Sequence, residues 1–160
     1  MKRFLVLSDT HVPVYQRDLP KIVYDLAPSM DGVIALGDFV DLDTVLTLQS
    51  ISKEFHGVFG NVDRYEVKMH LPEYKIILVE KLTIALIHGW GPPWDLRERI
   101  LEKLSFDRSI DVIIYGHTHE PFDGMESGKR FLNPGTATPG GTYAVMEING
   151  DELIFDVKKV

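Results

Sequence analysis

Cysteine is absent from this chain of 160 residues, which excludes a disulfide framework and any thiolate nucleophile or thiolate metal ligand. Basic charge is in short supply. Lys and Arg number 17 against 24 Asp and Glu, a net charge of −7, so non-specific binding to nucleic acid is not expected. No stretch approaches the roughly 20 apolar residues of a membrane span. The apolar start Phe4-Leu5-Val6-Leu7 meets Ser8-Asp9 too soon for a signal peptide. No membrane partner is expected, and the expected location is cytoplasmic. Repeats, low-complexity tracts and linkers are also missing, so a single domain over residues 1–160 is expected. What is present, 44% hydrophobic and 26% charged residues, is ordinary for a globular protein long enough to bury a core without staples.

The apolar residues come in short runs. Phe4–Leu7, Val33–Leu36, Gly57–Phe59, Ile84–Ile87 and Val112–Tyr115 read as buried strands. Helical spacing appears between them at Leu19, Ile22, Val23 and Leu26 with Asp18 as a plausible N-cap. It recurs at Leu42, Val45, Leu46 and Gln49 behind Asp41, and at Leu96, Ile100, Leu101 and Leu104 behind Pro93-Trp94-Asp95. Strand–helix alternation of this kind predicts parallel strands with helical crossovers. The runs 75–79 and 83–87 are close enough for a hairpin. After Gly116 only strand-like segments remain, and Asn149-Gly150 marks a two-residue hairpin turn. The expected fold class is α/β, with two packed sheets flanked by helices.

Each early strand ends on a side chain able to hold a metal. Asp9-Thr10-His11 follows the first, Gly37-Asp38 the second, Gly60-Asn61 the third, His88-Gly89 the fourth and Gly116-His117-Thr118-His119 the fifth. Residues two apart in an extended segment face the same side, so His117 and His119 are expected to point together at the mouth of the last strand. Each piece has a plainer explanation by itself, since Gly-Asp and Gly-Asn are turn chemistry and a lone His88 suits a structural histidine. Turn chemistry accounts for one or two of the positions. It does not account for oxygen or nitrogen donors at all five, nor for four of the six histidines gathering there. Ligands of open α/β sheets bind outside the carboxyl ends of strands, where these residues would meet.

The ordered set Asp9-x-His11, Gly37-Asp38-x-x-Asp41, Gly60-Asn61-x-Asp63, His88-Gly89 and Gly116-His117-x-His119 resembles the calcineurin-like metallophosphoesterases, most of all their small prokaryotic phosphodiesterase branch. Asn133-Pro134-Gly135-Thr136 looks like a variant of a later element of the same family. The resemblance implies a four-layer α/β/β/α sandwich with two mixed sheets and a dinuclear centre. One ion would be held by Asp9, His11 and His119, the other by Asn61, His88 and His117, with Asp38 bridging both. Asp38, Asn61, His88 and His117 would serve catalysis, and Asn61 would also meet the substrate. Two ions roughly 3.5–4 Å apart can clamp the attacking and leaving oxygens of phosphoryl transfer, and a shared water becomes a hydroxide near neutral pH. Two dications against two carboxylates leave the site positive enough for a phosphate ester in an acidic protein. Mixed imidazole, carboxylate and amide donors suit Mn, Ni, Fe, Co or Zn better than Mg.

One position departs from the larger relatives. Val62 stands where they carry the histidine thought to protonate the leaving group. That favours diesters with stable leaving groups over monoesters, and leaves Asp63, which would orient such a histidine, with only a turn or cap to make. Arg64 is a candidate phosphate contact. Trp90 and Trp94 flank Gly91-Pro92-Pro93 and would stack on a planar group or, the expectation here, pack against the following helix. His56 and His70 are expected at the surface. Two functions compete with a phosphodiesterase: a phosphomonoesterase, and a non-catalytic interaction scaffold such as the retromer subunit that resembles this family. Homo-oligomers are an open possibility.

Overall fold

The apolar runs of the first half are buried on both faces, which is why they read as unbroken rather than alternating. In a computed structural model, which describes residues 1–160, β1 (Lys2–Leu7), β2 (Gly32–Ala35) and β3 (Phe55–Gly57) lie parallel. The crossovers are α1 (Lys21–Leu26), which runs into a 3-10 turn over Ala27–Ser29, and α2 (Leu42–Ile51). A further helix, α3 (Tyr65–His70), follows β3. The hairpin of β4 (Tyr74–Val79) and β5 (Leu82–Ile87) begins a second sheet. From β5, α4 (Leu96–Lys103) leads to β6 (Val112–Tyr115), parallel to β5. β7 (Pro121–Glu126) and β8 (Lys129–Pro134) complete that sheet in the order β4-β5-β6-β8-β7. β9 (Thr142–Asn149) and β10 (Glu152–Lys159) return to the first, ordered β10-β9-β1-β2-β3.

Period-2 alternation distributes the strand side chains into three apolar layers. Phe4, Val6, Ile34, Ile84, Leu86 and Ile114 fill the space between the sheets. Leu5, Leu7, Val33 and Ala35 face Val23, Val45, Leu48 and Val67 of the helices on one side. Ala85, Ile87, Ile113 and Tyr115 face Leu96 and Ile100 of α4 on the other. The result is the four-layer α/β/β/α sandwich with two mixed sheets. No helix is long and apolar enough to cross a membrane.

Some boundaries differ from expectation. α1 starts at Lys21 because the Asp18 carboxylate accepts from Leu19 N and Tyr24 OH instead of capping, and Pro20 takes the N-cap position. Asp41 precedes α2 without a capping bond, its carboxylate being held by Arg64 at 2.8 Å. α3 had no clear apolar stripe to announce it, since only Val67 is buried. The last hairpin pairs Asn149 with Glu152, so its turn is Gly150-Asp151, one residue later, with Gly150 at φ +65.

Candidate metal centre

The turns after β1, β2, β3, β5 and β6 converge at one edge of the sandwich. They place two groups of donors side by side. The ligand atoms of Asp9, His11 and His119 lie within 4.8 Å of one another, as do those of Asp38, His88 and His117. The loops that carry them are in unusual backbone conformations. Asp9, His11, Asp38, His117 and His119 all have φ between 47 and 71. Left-handed backbone costs a non-glycine residue on the order of 1–3 kcal/mol, and here it falls on five of the seven donor residues. It also corrects the simple picture for the last motif. β6 stops at Tyr115, so His117 and His119 do not alternate along a strand; they turn to different groups.

In the first group Asp9 is fully buried. Its Oδ2 accepts from Ser8 Oγ at 2.6 Å and from the His117 N–H at 3.1 Å. Its Oδ1 faces His119 Nε2 at 3.3 Å, His88 Nε2 at 3.7 Å and His11 Nε2 at 3.8 Å. Asp9 Oδ1 and His11 Nε2 are both buried without a hydrogen-bond partner. Buried orphans of this kind are costly unless a cation satisfies them. Burial alone would raise the Asp9 pKa, but the His11, His119 and Ser8 contacts and the charge of His88 hold it far below the usual carboxylate range. The His119 pKa is raised, chiefly by its contact with the Asp9 carboxylate.

The second group is fixed atom by atom. His88 Nδ1 lies 2.5 Å from the Leu36 carbonyl, and His117 Nε2 lies 2.6 Å from the Gly91 carbonyl. A carbonyl only accepts, so those nitrogens carry the protons and the neutral rings keep lone pairs at His88 Nε2 and His117 Nδ1. These lone pairs converge on Asn61 Oδ1, at 3.1 and 3.2 Å. Asp38 Oδ2 joins them, 3.1 Å from His88 Nε2, and lies 3.9 Å from His11 Nε2 of the first group. Four acceptors facing one another with nothing to donate between them fit a bound cation. A proton takes that place in the metal-free state: burial disfavours charged His88, but the hydrogen bond to Asp38 and the charges of Asp9 and Asp38 outweigh it, and its pKa is pushed up to about 9.

Asp63 does more than cap a turn. Its Oδ2 accepts from Asp38 N at 2.9 Å and Gly60 N at 2.7 Å, and its Oδ1 from Val40 N at 2.7 Å. It thereby ties the loop carrying Asp38 to the loop carrying Asn61. The other Asp38 oxygen accepts from Val62 N at 3.0 Å. Only glycine fits at position 60, because a Cβ there would collide with the Asp38 backbone and carboxylate. Sequence spacing signalled Asp63 as part of a motif; it carried no sign of the three backbone donors, nor of the Leu36 and Gly91 carbonyls.

All seven expected donors, Asp9, His11, Asp38, Asn61, His88, His117 and His119, are thus brought together. Arg64 is not among them: its guanidinium sits on Asp41 and its side chain is 61% exposed. Trp94 is 69% exposed and does not pack into the α4 layer, while Trp90 lies under Lys103 Nζ at 5.3 Å. His56 is not a surface residue, its side chain being 13% exposed between Glu54 and Lys75. His70 is exposed and meets Gln49.

Residues 1–151 match the calcineurin-like phosphoesterase superfamily domain. A probable metallophosphoesterase of Methanothermobacter thermautotrophicus is 30% identical over 152 residues, covering 92% of this chain and 87% of that protein. A probable metallophosphoesterase of Methanocaldococcus jannaschii is 35% identical over 136 residues, or 83% of this chain and 67% of that protein. Among solved structures, the Thermotoga maritima protein TM1076 is 51% identical with a TM-score of 0.83, over the full length of both chains. Vps29 of Entamoeba histolytica, in a structure complexed with zinc, is 26% identical with a TM-score of 0.76, covering 99% of this chain and 98% of that one. Fold, motif order and these matches agree: the chain belongs to the calcineurin-like phosphoesterase superfamily.

Proposed function

We propose that this protein is a dinuclear-metal phosphodiesterase acting on small phosphate esters. The observation that carries the proposal is the cluster of facing acceptors, in which Asp9 Oδ1 and His11 Nε2 are buried without a partner and Asp38 Oδ2 lies 3.1 Å from His88 Nε2 and 3.9 Å from His11 Nε2. Asp9, His11 and His119 would hold one divalent ion, Asn61, His88 and His117 the other, and Asp38 both. Bound there, the ions supply Lewis acidity toward a phosphoryl oxygen and a nucleophile drawn from water at neutral pH. The chain's own contribution is to fix the donors. Leu36 and Gly91 set the imidazole tautomers, Asp63 and Val62 N–H aim Asp38, and Ser8 and the His117 N–H aim Asp9. The Asn61 amide faces the substrate phosphate, and Arg64 reaches a phosphate oxygen by exchanging Asp41 for it.

The diester preference rests on Val62, which is 46% exposed and has no proton to give. The leaving group must then be stable as an anion, because the roughly 10²–10⁴-fold help of a general acid is missing. A scaffold function draws support from the likeness to Vps29, but a donor set without a single incompetent side chain favours the enzyme. The test is hydrolysis of bis-p-nitrophenyl phosphate with Mn or Ni added. Turnover that EDTA abolishes and either metal restores is expected; EDTA-insensitive turnover, or none with any of Mn, Ni, Fe, Co and Zn, would sink the proposal.

A further inference from the structure

The segment Trp90-Gly91-Pro92-Pro93-Trp94 contributes no donor to either group, yet it begins two residues after His88 and leans on His117. What holds it is one side chain. Arg99, on α4, donates from Nη2 to the Trp90 carbonyl at 2.7 Å and to the Pro92 carbonyl at 2.5 Å. It donates from Nη1 to the Trp94 carbonyl at 2.8 Å. Three backbone carbonyls therefore surround a guanidinium that has no carboxylate partner. Two of them belong to the residues on either side of Gly91, so the Gly91 peptide is gripped from both sides. Its φ of +77, immediately before a proline, suits glycine alone, and a Cβ added there would press on the guanidinium at 3.3 Å. The two prolines remove N–H groups and fix φ, leaving the strap few other conformations. The Gly91 carbonyl so presented is the acceptor that lies 2.6 Å from His117 Nε2.

We propose that Arg99 is a positioning residue of the metal centre: through the Gly91 carbonyl it keeps the His117 proton on Nε2 and the Nδ1 lone pair turned to the ion-binding side. The inference rests on the metal-dependent reading above and extends it to a residue in neither donor group. Outer partners of metal-bound histidines are worth about 10–100-fold in metal affinity. The sign separates this from simple charge. Deleting a cation near a cation site tightens metal binding on Coulomb grounds, whereas loss of the staple loosens it.

Zinc and manganese titrations of the wild-type chain, Arg99→Ala and Arg99→Lys, with chelator competition for affinity and metal analysis for stoichiometry, test it. The wild type is expected to take two ions per chain. Arg99→Ala is expected to bind one of them about 10–100-fold more weakly, leaving the other, held by Asp9, His11 and His119, unchanged. Arg99→Lys keeps the charge but cannot span three carbonyls, so it weakens the same ion. Ring ¹⁵N shifts of the zinc-loaded wild type should show His117 protonated at Nε2, a readout that stands even if the Ala variant does not fold. Wild-type or tighter affinity for both ions in Arg99→Ala, or His117 protonated at Nδ1, overturns the role of Arg99 and leaves the metal centre intact. A wild-type chain that takes up no ion overturns both.

Discussion

The two donor groups sit a few ångströms apart and are built in contrasting ways. Around Asp9, the rings of His11 and His119 are met by the Asp9 and Asp38 carboxylates and by the face of Tyr15, stacked on His11 at 4.3 Å. No carbonyl selects their tautomers, and two atoms are left orphaned in the interior. Around Asp38, each ring has a carbonyl behind it and the loops are tied by Asp63. The second group is preorganised by its surroundings; the first leaves Asp9 Oδ1 and His11 Nε2 without a partner inside the protein. Preorganisation of the donors lowers the cost of binding, so the second group is expected to be the more sensitive to substitutions outside the donor set.

Asp38→Asn should erase the contrast, because it removes the carboxylate proposed to hold both ions. Loss of several kcal/mol of metal-centred stabilisation corresponds to a fall of about 10³ in kcat/KM. A diester assay at saturating metal measures it, and activity within a few-fold of wild type would contradict the shared-carboxylate arrangement.

The next effect is pH-dependent. The His88 pKa lies above the ordinary imidazole value, at about 9. In the metal-free protein its stabilisation, on the order of 3 kcal/mol, is therefore complete below about pH 6.5 and lost as pH rises through about 9. Metal competes with the same proton, so affinity runs the opposite way and grows with pH up to about 9. Thermal melts of EDTA-treated and metal-loaded samples across this range should diverge. Parallel curves would remove His88 from the proton-for-metal exchange.

Asp63→Ala should act chiefly on the second group. About 10–100-fold weaker binding of the ion at Asn61, His88 and His117 is expected, with a smaller loss at the other ion through Asp38, as metal analysis after dialysis would reveal. Equal loss of both ions would mean that Asp63 supports the fold at large rather than the Asp38 and Asn61 loops. The smallest effect is expected at Val62→His, which restores a proton donor at an exposed position. The ratio of monoester to diester turnover should rise by less than about tenfold, below the roughly 10²–10⁴-fold help of a fully positioned general acid; an unchanged ratio would detach substrate choice from this position.

Strand identity was legible wherever a run was buried on both faces. Phe4–Leu7 and Ile84–Ile87 have no other stable use than as central strands. The donors were legible for a related reason: five strand ends carrying Asp, Asn and His cannot all be turns. α3 was not legible, because its single buried residue, Val67, leaves no periodic trace. α1 starts later than the spacing predicts because Asp18 has two possible hydrogen-bonding uses, and spacing does not choose between them. Arg64 illustrates the same limit, since its partner Asp41 is 23 residues away and becomes a neighbour only when the turns after β2 and β3 meet.

By itself the amino-acid order determined the layers, the parallel strands and the identity of the side chains at the carboxyl edge, because burial and residue chemistry are local properties of each segment. Tertiary structure alone decided how closely the donors approach, which imidazole nitrogens face a backbone carbonyl, and that Asp63 and Arg99 bond to loop backbone. Those outcomes depend on carbonyls and N–H groups of distant segments, and every residue type except proline carries the same backbone groups, so nothing in the letters distinguishes the ones that matter.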